Sequence, residues 1–178
     1  MLDIAAGSGR HTSLLLQMGF HVTAVDRDVE AFRAFAGPTC EVRPIDLETG
    51  ESWPLGGDYD GIVVTNYLHR PLLPDIVAAL GAGGILIYET FALGNERFGR
   101  PRNPDFLLRP GELLEVFAAL TIIAFEQGEV SHPRPAVIQR IAAINGPLGP
   151  LPPALAPSLK GVTPRPGNHR RRKTTVVL

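Results

Sequence analysis

Along the chain, apolar and polar positions switch repeatedly between the short unbroken runs of buried strands and the three-and-four spacing of helices. MLDIA is a short apolar run that ends in a glycine loop. RHTSLLLQMG (10–19) puts Leu14, Leu15 and Met18 on one helical face, with Gly19 as its stop. HVTAV (21–25) is a β-branched strand ending at Asp26, and DVEAFRAFA (28–36) predicts a short helix opened by Asp28 and halted by Gly37-Pro38. CEVRPID (40–46) and YDGIVVTN (59–66) predict strands ending at Asp46 and Asn66. LLPDIVAALGAGG (72–84) predicts a helix with a glycine stop, and ILIYETF (85–91) the next strand. A long polar loop, 92–109, separates that strand from the helix GELLEVFAAL (111–120). TIIAFEQGEV (121–130) and PAVIQRIAAI (135–144) then read as two strands joined by a short loop.

This alternation predicts an α/β fold, a parallel sheet with helices on both faces. The last two strands have no helix between them and should form an antiparallel hairpin at one edge. The polar or glycine positions that follow the first four strands keep step: Gly7, Asp26, Asp46 and Asn66 lie 19, 20 and 20 residues apart. Each βα unit therefore delivers one such residue to the same sheet edge. Ligands of open α/β sheets sit outside the carboxyl ends of the strands.

Composition narrows the class. A chain of 178 residues suits one domain with a sizeable core. No apolar run approaches the ~20 residues of a membrane helix, and with an acid at Asp3 and no charged-then-apolar opening no secretory leader is expected. A lone cysteine, Cys40, excludes an internal disulfide, reads as a small apolar residue, and fits a reducing, cytoplasmic setting. The five histidines never form an HxxxH pair, so no metal site is expected. Neither a G-x-S-x-G elbow nor a GKS/GKT loop occurs, which leaves hydrolase and NTPase readings without support. Residues 1–144 hold 11 basic and 18 acidic side chains, whereas 145–178 hold six basic ones, no acid and seven prolines. The division expected is a folded domain over 1–144 and a disordered basic tail over 145–178. An acidic domain argues against broad nucleic-acid binding, which only the RRRK run of the tail could support.

The loop Asp3-Ile4-Ala5-Ala6-Gly7-Ser8-Gly9-Arg10-His11 carries the candidate chemistry. Gly7 and Gly9 allow positive φ and leave room for a ligand against the backbone. The helix that follows offers free N–H groups to a carboxylate or a phosphate alike. Asp26 could accept both hydroxyls of a ribose, which NAD and S-adenosylmethionine share. Asp46 could accept from an adenine amino group. Two details divide the candidates: Thr12 stands where a dinucleotide fingerprint wants its third glycine, and Asp3 lies four residues before Gly7.

That acid resembles the start of DxGxGxG, the first motif of class I S-adenosylmethionine-dependent methyltransferases. DIAAGSGRHT, VTAVDRD, IDLE, YDGIVVTNYLH and LGAGGILIYETF resemble the successive motifs of that family, in order, over residues 2–143. YETFALGNERFGRPRNPDFLLRPGELLE looks closest to a bacterial, tellurite-resistance-type branch. The resemblance implies a Rossmann-like seven-stranded sheet, order 3-2-1-4-5-7-6, with strand 7 antiparallel. It also implies a helix and half a strand ahead of Met1, so that this chain would be truncated at its N-terminus. Ala5 replaces the first glycine of the motif.

By the same resemblance the cofactor is S-adenosyl-L-methionine, held by Asp3, Ala5, Gly7, Ser8, Gly9, His11, Asp26, Arg27, Asp46, Leu47 and Asn66. The reaction implied is methyl transfer to a small-molecule acceptor near Asn66, Tyr67 and His69. Asn66 would orient the acceptor or the cofactor, Tyr67 would stack or wall the sulfonium, and His69 would be the base. His69 also reads as a solvent-facing residue at a helix start. The run Asn66-Tyr67-Leu68-His69 is not the Asp/Asn/Ser-Pro-Pro-aromatic signature of adenine or glutamine amino methylation. Glu89 either enters the acceptor pocket or pairs with an arginine. Arg97, Arg100 and Arg102 could receive an anionic acceptor, or belong to a solvated loop with its own ion pairs. Two further readings are a NAD-dependent Rossmann oxidoreductase and a truncated, non-catalytic methyltransferase remnant.

Overall fold

The computed structural model describes residues 1–149; the tail expected from the sequence lies, from residue 150 onward, outside the described residues. Seven strands form one sheet: β1 (Leu2–Ile4), β2 (Val22–Asp26), β3 (Cys40–Pro44), β4 (Tyr59–Thr65), β5 (Leu80–Phe91), β6 (Thr121–Val130) and β7 (Ala136–Ile144). Their order is β3-β2-β1-β4-β5-β7-β6. The first five run parallel, and β7 pairs antiparallel with both β5 and β6. This is the topology that the family resemblance implied. The β6–β7 hairpin enters the sheet through β7, so β6 rather than β7 becomes the edge.

Strands β1 and β4, in the middle of the sheet, are apolar because they are covered on both sides. Leu2, Ile4, Val25, Ile62, Val64, Leu86 and Tyr88 face one layer, where α2 (Leu73–Ala78) and α3 (Glu112–Val116) bring Leu73, Ile76 and Leu113, with Phe117 just beyond. On the other face Val22, Ala24, Cys40 and Val63 pack under Leu15 of α1 (Arg10–Gln17) and Phe32. Among the described residues, cover on that second face stops at β4. Ile85 and Ile87, which pair with Gly61 and Val63, remain 43% and 47% exposed. No helix among the described residues is long and apolar enough to cross a membrane.

Three local expectations change. Of the face expected for α1 only Leu15 is buried, while Leu14 and Met18 are 52% and 63% exposed. The helix expected over 28–36 is a single 3₁₀ turn, Arg33–Phe35. Asp26 and Asp28 accept from the amides of Asp28 and Glu30, and such turn bonds compete with a helix start. Helix α2 ends at Ala78 and β5 starts at Leu80, so the glycines meant as a stop lie within the strand. A Cβ on Gly84 would stand 2.6 Å from the Tyr59 carbonyl oxygen; glycine there serves close approach of β5 to β4. Sheet bonding also passes residue 144. Asn145 Nδ2 donates to the Leu80 carbonyl at 2.8 Å, and Gly146 O accepts from Thr121 Oγ1 at 2.7 Å.

Candidate functional site

Beyond β1 the chain turns sharply through three left-handed residues, Ala5, Gly7 and Gly9, with φ of 55°, 59° and 74°. The two glycines serve different ends. A Cβ on Gly7 would meet nothing nearer than 3.9 Å, so this position is open toward a ligand. A Cβ on Gly9 would stand 2.5 Å from Phe32 Cβ, so that glycine lets α1 sit against the segment after β2. Ala5 holds a conformation that costs an L-residue roughly 1–2 kcal/mol.

Asp26 closes the loop against β2: its Oδ2 accepts from the Gly7 amide at 2.9 Å and its Oδ1 from the Asp28 amide at 3.1 Å. Each oxygen keeps a further lone pair. Asp3, by contrast, is buried under α1 and accepts from the Thr12 hydroxyl at 2.6 Å. Burial raises its pKa, opposed by the Thr12 bond and by nearby His11.

At the carboxyl edge of β1, β2 and β4 lies a cavity of about 560 Å³. Its floor is Ala5, Gly7 and Ser8; one wall is Asp26 and Arg27, another Asp46, Leu47 and Glu48. Asn66 and Tyr67 close the β4 side, and Phe106 reaches in from the long loop. Asn66 adopts φ 55°, which asparagine tolerates better than most residues, and its amide donates to the Glu89 carbonyl at 2.8 Å. Burial, then the Glu48 carboxylate, push the Tyr67 phenol well above its ordinary pKa, so it stays protonated.

A second cavity, of about 640 Å³, adjoins the first and shares Arg10 and Asn66 with it. His11 and Leu14 of α1 form one side, Glu89, Phe91 and Arg140 the sheet, and His132 and Arg134 the β6–β7 turn. His11 Nδ1 lies 3.2 Å from Thr65 Oγ1. Burial and then Arg10 lower the His11 pKa from 6.5, against the pull of Asp3 and Glu89, so the ring is neutral at pH 7. Glu89 lines this cavity and pairs with Arg140 at 3.4 Å, the second of the two alternatives read from the sequence.

Of the residues singled out from the sequence, the first cavity gathers Ala5, Gly7, Ser8, Asp26, Arg27, Asp46, Leu47, Asn66 and Tyr67. His11 and Glu89 lie in the second. Asp3, Gly9, His69, Arg97, Arg100 and Arg102 line neither. Arg97 pairs with Glu129 at 3.2 Å and covers the Phe98 ring at 5.1 Å. Sequence reasoning passed over Glu48, Arg10, Arg134 and Arg140. Glu48 carried no local signal of its own: its backbone amide donates to Asp46 Oδ1 at 2.9 Å, a bond that any residue but proline could make.

The long loop is tied down beside the first cavity. Arg70 donates from Nε and Nη2 to the buried Glu112 carboxylate at 2.7 and 3.0 Å, and from Nη1 and Nη2 to the carbonyls of Asp105 and Leu107 at 2.6 and 2.9 Å. These bonds flank Phe106 on both sides. Burial alone would raise the Glu112 pKa; the Arg70 bonds and the Arg109 amide overturn this and hold it below 4.5.

No family model matches the chain. It is 31% identical over 93 residues to the protein-L-isoaspartate O-methyltransferase of Flavobacterium johnsoniae, covering 49% of this chain and 43% of that protein. With the protein of the same name from Chlorobaculum tepidum it shares 28% identity over 103 residues, covering 54% and 47%. The chain thus spans under half the length of the curated relatives it matches. Among solved structures it is similar to an S-adenosylmethionine-dependent methyltransferase of Methanosarcina mazei, with TM-score 0.61, 18% identity and coverage of 81% and 91%. The 1,6-didemethyltoxoflavin-N1-methyltransferase of Burkholderia thailandensis gives TM-score 0.62 at 21% identity, covering 82% and 70%. TehB of Haemophilus influenzae gives 0.63 at 16%, covering 81% and 57%. The chain has the class I S-adenosylmethionine-dependent methyltransferase fold. Likeness to TehB hardly exceeds the other two, so it favours no one branch of that fold.

Proposed function

We propose that this chain binds S-adenosyl-L-methionine in the first cavity and transfers its methyl group to a small-molecule acceptor in the second. The observation that carries this reading is the junction of the two cavities at Arg10 and Asn66, at the strand edge where this fold collects its ligands. The bound cofactor would supply an activated, positively charged methyl donor. The first cavity suits such a ligand, since Asp26, Asp46 and Glu48 outnumber Arg10 and Arg27 there. The free lone pairs of Asp26 would take ribose hydroxyls, the Asp46 carboxylate an adenine amino group, and Leu47 and Phe106 the faces of a flat ring. Asn66, lining both cavities, would orient whichever group reaches the boundary. Tyr67 would wall the donor as a neutral phenol. His11 is better placed as a base than His69, because it lines the second cavity, whereas His69 lines neither.

A nicotinamide dinucleotide fits less well. The residue in place of its third glycine, Thr12, is fully buried and bonded to Asp3, which ties β1 to α1. The reading takes residues 1–144 as the cofactor-binding domain, 145–178 as an appended basic segment, and a reducing cytoplasm as the setting of the buried Cys40. Calorimetric titration of S-adenosylhomocysteine into the purified chain, with NAD as control, tests it. Micromolar binding of the former alone is expected. A cooperatively folded protein that binds neither would leave a non-catalytic remnant in its place.

A further inference from the structure

The charge of the second cavity narrows the acceptor. This step rests on the methyl-transfer reading above. Residues 1–149 contain eleven arginines among eighteen acids, and six of the eleven are in ion pairs: Arg33, Arg43, Arg70, Arg97, Arg109 and Arg140. Arg10 and Arg134 make no ion pair among the described residues, yet both line the second cavity, and they come from two separate elements. Arg10 starts α1, while Arg134 stands in the β6–β7 turn. The cavity's one carboxylate, Glu89, shares Arg140 with Glu126 and so offers no counter-charge to either. His11 is neutral, and His132 Nδ1 meets the Ser131 hydroxyl at 2.9 Å. Two uncommitted guanidinium groups thus face a cleft whose remaining walls, Leu14, Phe91 and Ile138, are apolar. The neighbouring cavity has the opposite balance, with three carboxylates.

We propose that the second cavity takes an acceptor with an anionic group, a carboxylate or phosphate, held by Arg10 and Arg134, on an apolar body lying along Leu14, Phe91 and Ile138. Guanidinium forks bind such oxyanions through paired, charge-assisted hydrogen bonds. The acid-lined first cavity repels the same group. Arg134, which lines only the second cavity, therefore draws the anion away from the donor cavity, with Arg10 at the boundary, and the nucleophilic end is left toward Asn66 and His11. There the acceptor's O or N lone pair forms the new bond to the methyl carbon as the carbon–sulfur bond breaks toward sulfur, and His11 takes the proton the acceptor loses. Sulfonium charge is lost as imidazolium charge appears, so the balance closes without a further reactant.

Arg134 lines only the second cavity, which makes it the discriminating variant. The probes are benzoate, phenyl phosphate and uncharged benzamide, titrated by ligand-observed NMR against the full chain with and without S-adenosylhomocysteine. The expected result is that at least one anion binds about tenfold tighter than benzamide. Arg134→Gln should weaken that anion about fivefold and leave benzamide and S-adenosylhomocysteine affinities unchanged. A preference for benzoate or for phenyl phosphate tells the two oxyanions apart. Anions that bind no tighter than benzamide, or that ignore Arg134→Gln, overturn the proposal. Loss of S-adenosylhomocysteine binding to the unmodified chain would instead refute the methyl-transfer reading, while the titrations without it still judge the anion site.

Discussion

The Gly7 amide donates a 2.9 Å hydrogen bond to Oδ2 of Asp26, 19 residues further along the chain. One carboxylate therefore both shapes the loop after β1 and faces the cavity that the loop floors. Asp26→Ala should weaken S-adenosylhomocysteine binding at least tenfold, on the order of ~1.4 kcal/mol, in calorimetry. Its melting temperature should move little, because the freed amides of Gly7 and Asp28 can meet water. Unchanged affinity would remove Asp26 from the site.

Gly7 and Gly9 should separate binding from folding. Gly7→Val projects into the open cavity and should abolish S-adenosylhomocysteine binding while the protein still melts cooperatively. Gly9→Ala puts a methyl group 2.5 Å from Phe32 Cβ, and should cost about 1–3 kcal/mol in denaturant unfolding. The opposite pattern would reverse the roles given to the two glycines.

Ala5→Gly should raise stability. Glycine relieves the left-handed strain of roughly 1–2 kcal/mol at this position. The looser unfolded chain returns about 0.4–1 kcal/mol of that. A higher urea midpoint with unchanged slope is the expected readout.

Arg70→Ala should destabilise the protein by about 2–3 kcal/mol, since it strips a buried carboxylate of its main partner; half-exposed Arg70 keeps the figure below that of a fully buried pair. The folded pKa of Glu112 is lowered, so its contribution is present above 4.5 and is lost as pH falls through the lowered value. Asp3 has the opposite sign. Its folded pKa is raised above 3.8, so its contribution is complete below 3.8 and is lost as pH rises through the raised value. In chemical unfolding between pH 3 and 7, Glu112→Gln should flatten the acid-side loss, and Asp3→Asn should steepen it.

His11 should titrate below 6.5 in a histidine NMR experiment. The groups acting on it are the Arg10 guanidinium, the Asp3 and Glu89 carboxylates and the Thr65 hydroxyl. Arg10→Gln removes the repulsion and should raise the midpoint; a midpoint above 6.5 in the unmodified chain would exclude His11 as a base ready at neutral pH.

The sequence alone determined the strands and their polar ends. Buried parallel strands must be apolar, and βα units of near-constant length place Gly7, Asp26, Asp46 and Asn66 in step. Most of the first cavity was therefore legible, as was the β6–β7 hairpin. Where the remaining side chains point depends on residues far away in the chain. Gly9 answers to Phe32, Thr12 to Asp3, and of the expected face of α1 only Leu15 meets the core, against Val22, Ala24 and Val63 of the strands. The arginines show it best. Arg97 stood out in sequence because it shares a loop with Arg100 and Arg102, yet Glu129 of β6 draws it off. Arg10 and Arg134, 124 positions apart, line one cavity because β7 inserts beside β5 and brings the β6–β7 turn toward the start of α1.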